Sequence, residues 1–180
     1  MAIMGIGLAT TAEDAVRALL LSRLDAGYRL AMCILRDPSA AEDAVQEGAL
    51  RAWARRQDLR DPDSVDAWFA RIVVNVCRVE LGRRARRPLV IEIDPHADRE
   101  DPADHRGQFD LRDEVGRAIA RLGPEEQIVI ALRYGRDLTV PQIAEHTGIR
   151  EGTVKSRLHN AQEHLRAAFE AERRAEEMHR

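Results

Sequence analysis

The stretch GPEEQIVIALRYGRDLTVPQIAEHTGIREGTVKSRLHNAQEHLR, from Gly123 to Arg166, carries three runs of helical apolar spacing separated by turn signals. The first run begins with Pro124, where a helix tolerates the missing N–H, and two acidic residues follow that complement the helix dipole. Gly135 can end that helix in a left-handed conformation. We therefore expect a support helix from Pro124 to about Tyr134.

Two further helices are predicted to follow as a helix-turn-helix. Thr139 and Gln142 have the spacing of a capping box, and Gly148 stops the short helix that they begin. A last helix starts near Glu151, and helical spacing turns four of its residues inward: Val154, Leu158, Ala161 and Leu165. Its outward residues are Lys155, Ser156, Arg157, His159 and Asn160.

The outward side chains of the last helix suit DNA. Helix-turn-helix geometry places the start of the second helix in the major groove. Lysine and asparagine can bond base edges there, while serine and arginine more often hold phosphates. An ordinary helical hairpin with a solvated polar face would show the same periods. The agreement of turn chemistry, spacing and outward side chains favours a DNA-reading unit.

The composition describes a globular protein of one or two small domains, with 44% hydrophobic and 33% charged residues among 180. No apolar run is long enough for a bilayer, and the N-terminal sequence lacks the basic region and apolar core of a signal peptide. We therefore expect a cytoplasmic protein without direct membrane insertion. The net charge of −3 is unlike that of a uniformly basic nucleic-acid binder, so DNA-binding charge must be segregated along the chain.

The N-terminal part predicts two helices before residue 57. The first runs from a cap at Thr11 or Thr10 to Arg36, with a bend at Gly27, and Ser39 with Glu42 forms the capping box of the second. The expected inner face of the second helix is Ala41, Val45, Ala49, Ala52 and Trp53. Its outer face carries Asp43, Gln46, Glu47 and Arg51, and from the residues alone this face is interpreted as solvated surface.

A third helix is predicted from a cap at Asp63 or Ser64 to about residue 87, with a broad apolar stripe. Six arginines stand against one glutamate, Glu80, and they are Arg71, Arg78, Arg83, Arg84, Arg86 and Arg87. One or two cations near a helix C-terminus complement the dipole. A cluster of this size favours a phosphate-binding surface instead.

The segment from Pro88 to about Gln108 is rich in acid and proline without helical or strand periodicity, and it therefore predicts a linker. Its acid explains how a chain with a basic third helix has a negative net charge. The predicted organisation is all-α, with two small helical domains joined by an acidic linker. Its parts are a flexible N-terminus at 1–10, a first domain at 11–87, the linker at 88–109, and a second domain with a helical extension at 110–180.

No enzyme, metal or cofactor site is predicted. The sequence has no glycine-rich phosphate loop after a strand, its six histidines lack metal-ligand spacing with cysteine, and no serine or cysteine has a recognisable base. We therefore expect no catalytic residue, cofactor, metal or small-molecule substrate. Cys33 and Cys77 stand alone on apolar helical stretches, which favours two buried hydrophobic side chains over a redox or metal role.

Two separate stretches resemble one family. AEDAVQEGALRAW (Ala41–Trp53) and DAWFARIVVNVCRVELGRRARR (Asp66–Arg87) are similar to domain two of the bacterial extracytoplasmic-function sigma factors, and Leu122 to Arg166 is similar to their domain four. Order and spacing agree over nearly the whole chain. The resemblance implies a non-enzymatic alternative sigma factor that binds core RNA polymerase, recognises the promoter −10 and −35 elements and promotes transcription initiation.

The resemblance also implies which residues meet each partner. Core polymerase would meet Asp43, Gln46, Glu47 and Leu50. The −10 element would meet Arg60, Asp61, Asp63, Ser64, Asn75, Arg78, Arg83 and Arg84, with a flipped base held in the loop that begins at Arg60. The −35 element would meet Arg150, Thr153, Lys155, Ser156, Arg157, His159 and Asn160, with Arg150 and Arg157 nearer phosphate.

Three points depart from the family or stay open. Arg150 stands where an acceptor side chain often caps the last helix, so the cap either moves to Thr147 or is lost while Arg150 binds phosphate. Gly48 and Ala49 are smaller than the residues common in relatives, which leaves the packing of that helix open. An anti-sigma factor is a common partner in this group, although no residue specifies one.

The alternative function is a helix-turn-helix regulator that binds duplex DNA without joining polymerase, and only the first domain distinguishes the two.

Overall fold

The computed structural model describes residues 12–59, 61–86 and 114–178, and these residues form helices without a strand. They divide into two compact units, one built mainly from residues before Arg78 and one mainly from residues after Cys77. The all-α prediction is therefore confirmed for the described residues. The predicted flexible N-terminus, the linker at 88–109, Arg60 and Arg87 lie outside them, and the predicted domain limits stay predictions.

The N-terminal unit contains four helices. They are α1 (Ala12–Leu21), α2 (Leu24–Leu35), α3 (Pro38–Ala54) and α4 (Val65–Arg86), with 3₁₀ turns at Arg56–Asp58 and Pro62–Ser64. The C-terminal unit contains α5 (114–120), α6 (Pro124–Ile130), α7 (Val140–Thr147) and α8 (Glu151–Met178), with a π-helical segment at Ala131–Gly135. None of the helices in the described ranges is long and apolar enough to cross a membrane.

The single N-terminal helix predicted up to Arg36 is two helices, and the break is at Ser22–Arg23 rather than at Gly27. The Ser22 hydroxyl donates to the Leu19 carbonyl at 2.7 Å, and the Arg23 N–H donates to the Leu20 carbonyl in a tightened turn. A serine that bonds the backbone in this way offers an alternative to the helical ladder. Gly27 lies inside α2 and is buried.

Gly27 and Gly48 are packing residues. A Cβ on Gly27 would lie 2.8 Å from Phe69 Cε1, and a Cβ on Gly48 would lie 3.2 Å from Val73 Cγ2. The absence of a side chain at both positions lets α4 approach α2 and α3 closely. The core that results contains Leu30, Ala31, Ile34, Leu35, Ala41, Val45, Ala52, Val65, Phe69, Val73, Val74 and Cys77. Cys77 is thus buried as predicted, whereas Cys33 is partly exposed.

Two predictions about α3 were wrong. Its N-cap is Asp37, whose carboxylate accepts the Ala40 N–H at 3.0 Å with Pro38 in the first turn, so Ser39 is not the cap. Trp53 does not belong to the inner face, because 36% of its surface is exposed. The Arg56 guanidinium covers its ring at 4.7 Å from the centroid, and a carboxylate oxygen of Glu13 holds that guanidinium at 2.6 Å. The edge position of Trp53 therefore rests on a cation–π contact.

The support helix keeps its α-helical geometry only to Ile130 and continues as the π-helical segment. The predicted left-handed exit at Gly135 was wrong. The residue with positive φ is Asp137, at 51°, and the Leu138 N–H returns to the Leu132 carbonyl at 3.1 Å. The wider turn of the π segment moves the exit point two residues along the chain.

The signals predicted for α7 are confirmed. The Gln142 side-chain oxygen accepts the Thr139 N–H at 2.9 Å, and Gly148 ends the helix with φ 71°. The short connection that follows leads directly into α8. Fully buried side chains from α6, the π-helical segment, α7 and α8 form the core of this unit: Ile128, Val129, Leu132, Ile143, Val154 and Ala161.

Candidate nucleic-acid interface

The first four turns of α8 have a buried side and an exposed side. Val154 and Ala161 are fully buried, and Leu158 and Leu165 pack against the same core, as predicted. The side chains on the other side of the helix are exposed, and they include Lys155, Ser156, His159 and Asn160. Four of the seven residues expected at the −35 element thus share one exposed face at the head of a helix, which is the arrangement a major-groove reader needs.

Arg157 departs from the predicted outward orientation. It is half-buried, and its Nη1 donates to the Glu125 carboxylate on α6 at 2.5 Å. Helical geometry places it on the flank of α8 between the buried and the exposed side. The structure therefore gives Arg157 an intramolecular partner that sequence reasoning did not foresee, since residues 32 positions apart share no local pattern.

Two further contacts fix α8 against the support helix. His164 Nδ1 lies 3.1 Å from the Glu126 carboxylate, two helical turns after Arg157 on the same flank. On the π segment, the Tyr134 hydroxyl accepts the Gln162 side-chain N–H at 2.7 Å. Together with the Arg157–Glu125 pair, these contacts set the orientation of α8 and hence the direction of its exposed face.

Arg150 takes the N-cap position of α8 through its backbone. Its carbonyl accepts the Thr153 N–H at 2.9 Å and the Val154 N–H at 3.1 Å, while its side chain is exposed. Thr153 is half-exposed beside it, and its carbonyl accepts the Ser156 hydroxyl at 3.0 Å. A guanidinium cannot accept from the helix N–H groups, so the Arg150 side chain is left for a partner outside the helix.

The cations of α4 are partly neutralised within the helix. Glu80 binds Arg83 at 2.6 Å and Arg84 at 3.0 Å, one turn further along. Arg83 is largely exposed and Arg84 is about one-third exposed. Asn75 is exposed more than two turns before Arg83, and Arg78 is half-buried, with its Nε 2.6 Å from the Glu125 carboxylate. The predicted phosphate surface stays a prediction, and the local charge available to it is lower than the count of arginines indicated, because Glu80 binds two of them.

The turn before α4 is well defined on its described side. The Asp61 carboxylate accepts the Asp63 N–H at 3.0 Å, and the Ser64 hydroxyl donates to the Asp61 carbonyl at 2.7 Å. Asp61, Asp63 and Ser64 are all exposed. Arg60, the fourth residue predicted for this loop, lies outside the described residues.

The outer face of α3 carries Asp43, Gln46, Glu47 and Leu50, all exposed as the resemblance implied. Leu50 is 67% exposed, and it is the one large apolar side chain among these four residues. Glu47 binds Arg51 at 2.7 Å on the same helix. This face will be called the α3 face.

An apolar groove of about 590 Å³ borders the α3 face in the N-terminal unit. It is lined by Arg17, Leu20, Leu21, Leu24, Val45, Gln46, Ala49, Leu50 and Trp53. Leu21 is 58% exposed, so this part of the unit presents several large apolar side chains to solvent. Sequence reasoning placed Leu20 and Leu24 on one apolar face of the first helix, and Leu20 is indeed buried, but the contribution of α1 to this surface was not predicted. In the described residues, no cluster of histidine, cysteine or carboxylate side chains could hold a metal ion.

Comparison with known families accounts for both units. Residues 11–87 match the model for Sigma-70 region 2, and residues 118–167 match the model for Sigma-70, region 4. The chain is similar to the ECF RNA polymerase sigma factor SigL of Mycobacterium tuberculosis, with 34% identity over 168 residues that cover 91% of this chain and 94% of SigL. It is 30% identical to the RNA polymerase sigma factor SigV of Bacillus subtilis over 135 residues, covering 74% of this chain and 78% of SigV.

Two solved structures share the fold. One is the sigma factor RpoE in complex with the anti-sigma factor NepR from Bartonella quintana, with a TM-score of 0.57, 24% identity, and coverage of 87% of this chain and 97% of RpoE. The other is CnrH in complex with the cytosolic domain of CnrY, with a TM-score of 0.58, 23% identity, and coverage of 87% and 88%. At this identity the likeness concerns the arrangement of the backbone.

Proposed function

The chain belongs to the extracytoplasmic-function sigma factors of bacterial RNA polymerase, and from this premise we propose how its surfaces divide the work of transcription initiation. As a sigma factor it binds core RNA polymerase, recognises promoter −10 and −35 elements and promotes initiation. The observation that carries this conclusion is the presence of both sigma regions, in order, within one chain. A helix-turn-helix regulator acting without polymerase would leave the match of residues 11–87 unexplained.

The exposed face of α8 is proposed to read the −35 element. Lys155 and Asn160 carry donors and acceptors that can bond base edges, with Ser156 and His159 between them on the exposed face. Arg150 and Thr153 stand at the start of the helix, where phosphates of the groove edge would lie. Arg157 is assigned a positioning role instead, because its guanidinium is engaged by Glu125.

The turn before α4 and four polar side chains of α4 are proposed to hold the opened −10 element. A flipped base would enter the loop from Arg60 to Ser64, where the Asp61 turn supplies polar groups. Asn75, Arg83 and Arg84 would contact the adjoining strand, and Arg78 would join them only by leaving the Glu125 carboxylate that it binds at 2.6 Å. Flipping a base requires a few kcal/mol of unstacking, so phosphate contacts made beside the pocket help to trap the opened state. The Glu80 carboxylate would limit how much charge Arg83 and Arg84 offer.

The α3 face is proposed to bind the largest subunit of core polymerase through its clamp helices. Asp43, Gln46 and Glu47 supply polar contacts, and Leu50 supplies the apolar one. Exposed leucine at the centre of a polar face is typical of an interface, where apolar area is buried on association and a polar rim surrounds it. Because the groove beside this face shares Gln46 and Leu50 with it, the docking surface would extend toward α1.

Core binding followed by transcription tests the function directly. The purified chain is mixed with core RNA polymerase from its host, and the complex is isolated by size exclusion and assayed on a promoter recovered by transcript mapping after overexpression. We expect a stable complex and specific run-off transcripts. A chain that binds duplex DNA but never co-elutes with core would contradict the sigma assignment and support the regulator.

The remaining properties follow the family in coarser form. Sigma factors are regulatory proteins without a catalytic reaction of their own, and they act where RNA polymerase acts, so we propose a cytoplasmic, non-enzymatic role. RpoE of Bartonella quintana was solved with the anti-sigma factor NepR. An anti-sigma partner for this chain is proposed by analogy, and co-purification of the tagged chain from its host would reveal a bound regulator that prevents core binding.

A further inference from the structure

Nothing in the described part of the chain requires glycine at Gly152, the second residue of α8. A Cβ built on it meets no atom of the described residues within 4 Å, whereas added Cβ atoms on Gly27 and Gly48 meet side chains at 2.8 Å and 3.2 Å. Its φ is not positive, in contrast to Gly148 at 71°. Glycine is also among the least favourable residues for a helix, so the fold gains nothing from it.

Its place on the helix is informative. Residues 152, 156, 159 and 163 follow one another at intervals of four, three and four, so they line up along one side of α8. All four are exposed, and they lie opposite Val154 and Ala161, which are fully buried. Gly152 therefore stands at the centre of the outward face, one turn before Ser156 and between the flanking positions Glu151 and Thr153.

We propose that Gly152 is a positioning residue for promoter reading, which lets the backbone of the first turn of α8 approach the base pairs closely. The proposal rests on the assignment of the exposed face of α8 to the −35 element. A recognition helix contacts base edges with its N-terminal residues, and glycine is used where a backbone must come close to a ligand. An added methyl group at the centre of the face would hold the helix further from the groove floor.

The consequence is a defect in geometry without a change of charge. Moving the first turn outward lengthens the hydrogen bonds that Lys155 and Asn160 make with base edges, and hydrogen bonds weaken steeply with distance and misalignment. Contacts to phosphates use longer and more adaptable side chains. Gly152→Ala should therefore lower binding to the correct element more than binding to unrelated DNA, and Gly152→Val should lower it further.

The test uses holoenzyme and a defined probe. Wild-type holoenzyme first selects its −35 element from a pool of promoters with a randomised upstream sequence. The probe is a duplex that carries only the selected −35 element, and a duplex of scrambled sequence serves as comparison. Dissociation constants are measured at one salt concentration for wild type, Gly152→Ala, Gly152→Val, Lys155→Ala and Gly82→Ala. Gly82 is the matched control because it lies on α4 rather than on α8. Its added Cβ would meet only Arg86 Nη2, at 3.9 Å.

We expect Gly152→Ala to bind the selected duplex about fivefold more weakly or worse, to bind the scrambled duplex within about twofold of wild type, and to melt at an equal or higher temperature. Three results would overturn the proposal: selected-duplex binding within about twofold of wild type, an equal decrease on both duplexes, or a lower melting temperature. Lys155→Ala distinguishes failure of the role of Gly152 from failure of the −35 assignment of the α8 face. If it weakens specific binding while Gly152→Ala does not, only the role of Gly152 fails; if neither does, the assignment of the α8 face fails as well.

Discussion

At the scale of single residues, Gly27 shows how one missing side chain sets the packing of a unit. Its Cβ would lie 2.8 Å from Phe69 Cε1, and the Phe69 ring is itself 2% exposed, so it has little room to move. Overpacking of this kind costs about 1–3 kcal/mol, while alanine gains at most about 1 kcal/mol in helix propensity. We expect Gly27→Ala to lower the free energy of unfolding by about 1–2 kcal/mol. Urea unfolding followed by circular dichroism measures this, with Gly82→Ala as the control. If Gly27→Ala were as stable as Gly82→Ala, the Phe69 ring would have moved to make room and the prediction would be wrong.

A second residue-scale prediction separates base contacts from phosphate contacts. Lys155→Ala or Asn160→Ala should weaken binding to the selected −35 element by about 1–3 kcal/mol for each base that is no longer bonded, and should relax the sequence preference at that position. The measurement is a competition assay between the selected duplex and single-base variants of it. A decrease of equal size for every duplex would assign these side chains to the backbone of DNA instead.

Arg83→Ala combined with Arg84→Ala should behave differently. Removing two cations that bind phosphates lowers binding across many sequences and reduces the slope of log affinity against log salt by about 0.7–0.9 for each phosphate that is no longer neutralised. The Glu80 pairs give a matched control, because Glu80→Gln removes the carboxylate that both arginines bind. That variant should raise affinity for opened promoter DNA, and an unchanged salt slope in the double variant would exclude a phosphate role for the pair.

At the scale of elements, the orientation of α8 depends on side chains from α6 rather than on α8 alone. Arg157→Met keeps most of the apolar stem but removes the pair with Glu125. Partly exposed ion pairs contribute about 0–1 kcal/mol, so we expect a small drop in melting temperature. Because the guanidinium is engaged within the protein, the salt slope of DNA binding should stay as in wild type. A slope reduced by about 0.9 would mean that Arg157 leaves Glu125 to bind a phosphate.

The elements also show where sequence reasoning succeeds. The Thr139–Gln142 box, the stop at Gly148 and the inward register of Val154 and Ala161 were predicted correctly. Each of these features is decided by residues within one or two turns of each other. Local chemistry and helical period are sufficient in such cases, because no distant group competes with them.

The features that were missed depend on choices between near-equal local alternatives or on distant partners. Asp37 and Ser39 are both good cap residues. Pro38 suits the first position of a helix, and this makes Asp37 the cap. Leu132 in the π segment is fully buried, and its carbonyl accepts the Leu138 N–H beyond the exit at Asp137. No local period reveals this packing. Two sets of contacts likewise depend on the tertiary fold. Trp53 is covered by Arg56, which Glu13 holds, and Arg157 is bound by Glu125.

At the scale of the whole molecule, the function joins surfaces that were identifiable in different ways. The helix proposed to read DNA was predicted from sequence chemistry, whereas the α3 face was interpreted as solvated surface until the family resemblance implied core polymerase as its partner. The structure adds what neither provided, an apolar groove that borders the face and includes α1. The residues proposed for each partner remain separable by mutation because they lie on different helices.

That separation supports a prediction for the complete chain. Asp43→Lys combined with Leu50→Glu changes two exposed residues, so folding and melting temperature should be unaffected. Core binding should fall at least about tenfold, because a charge is reversed and an apolar contact becomes a desolvated carboxylate at the interface. Lys155→Ala should do the reverse, keeping core affinity within about twofold while weakening promoter selection by about 1–3 kcal/mol. Co-elution with core polymerase and run-off transcription from one promoter measure both quantities on the same preparations. Failure of Lys155→Ala to bind core, or full core binding in the α3-face variant, would contradict the division of roles between the two surfaces.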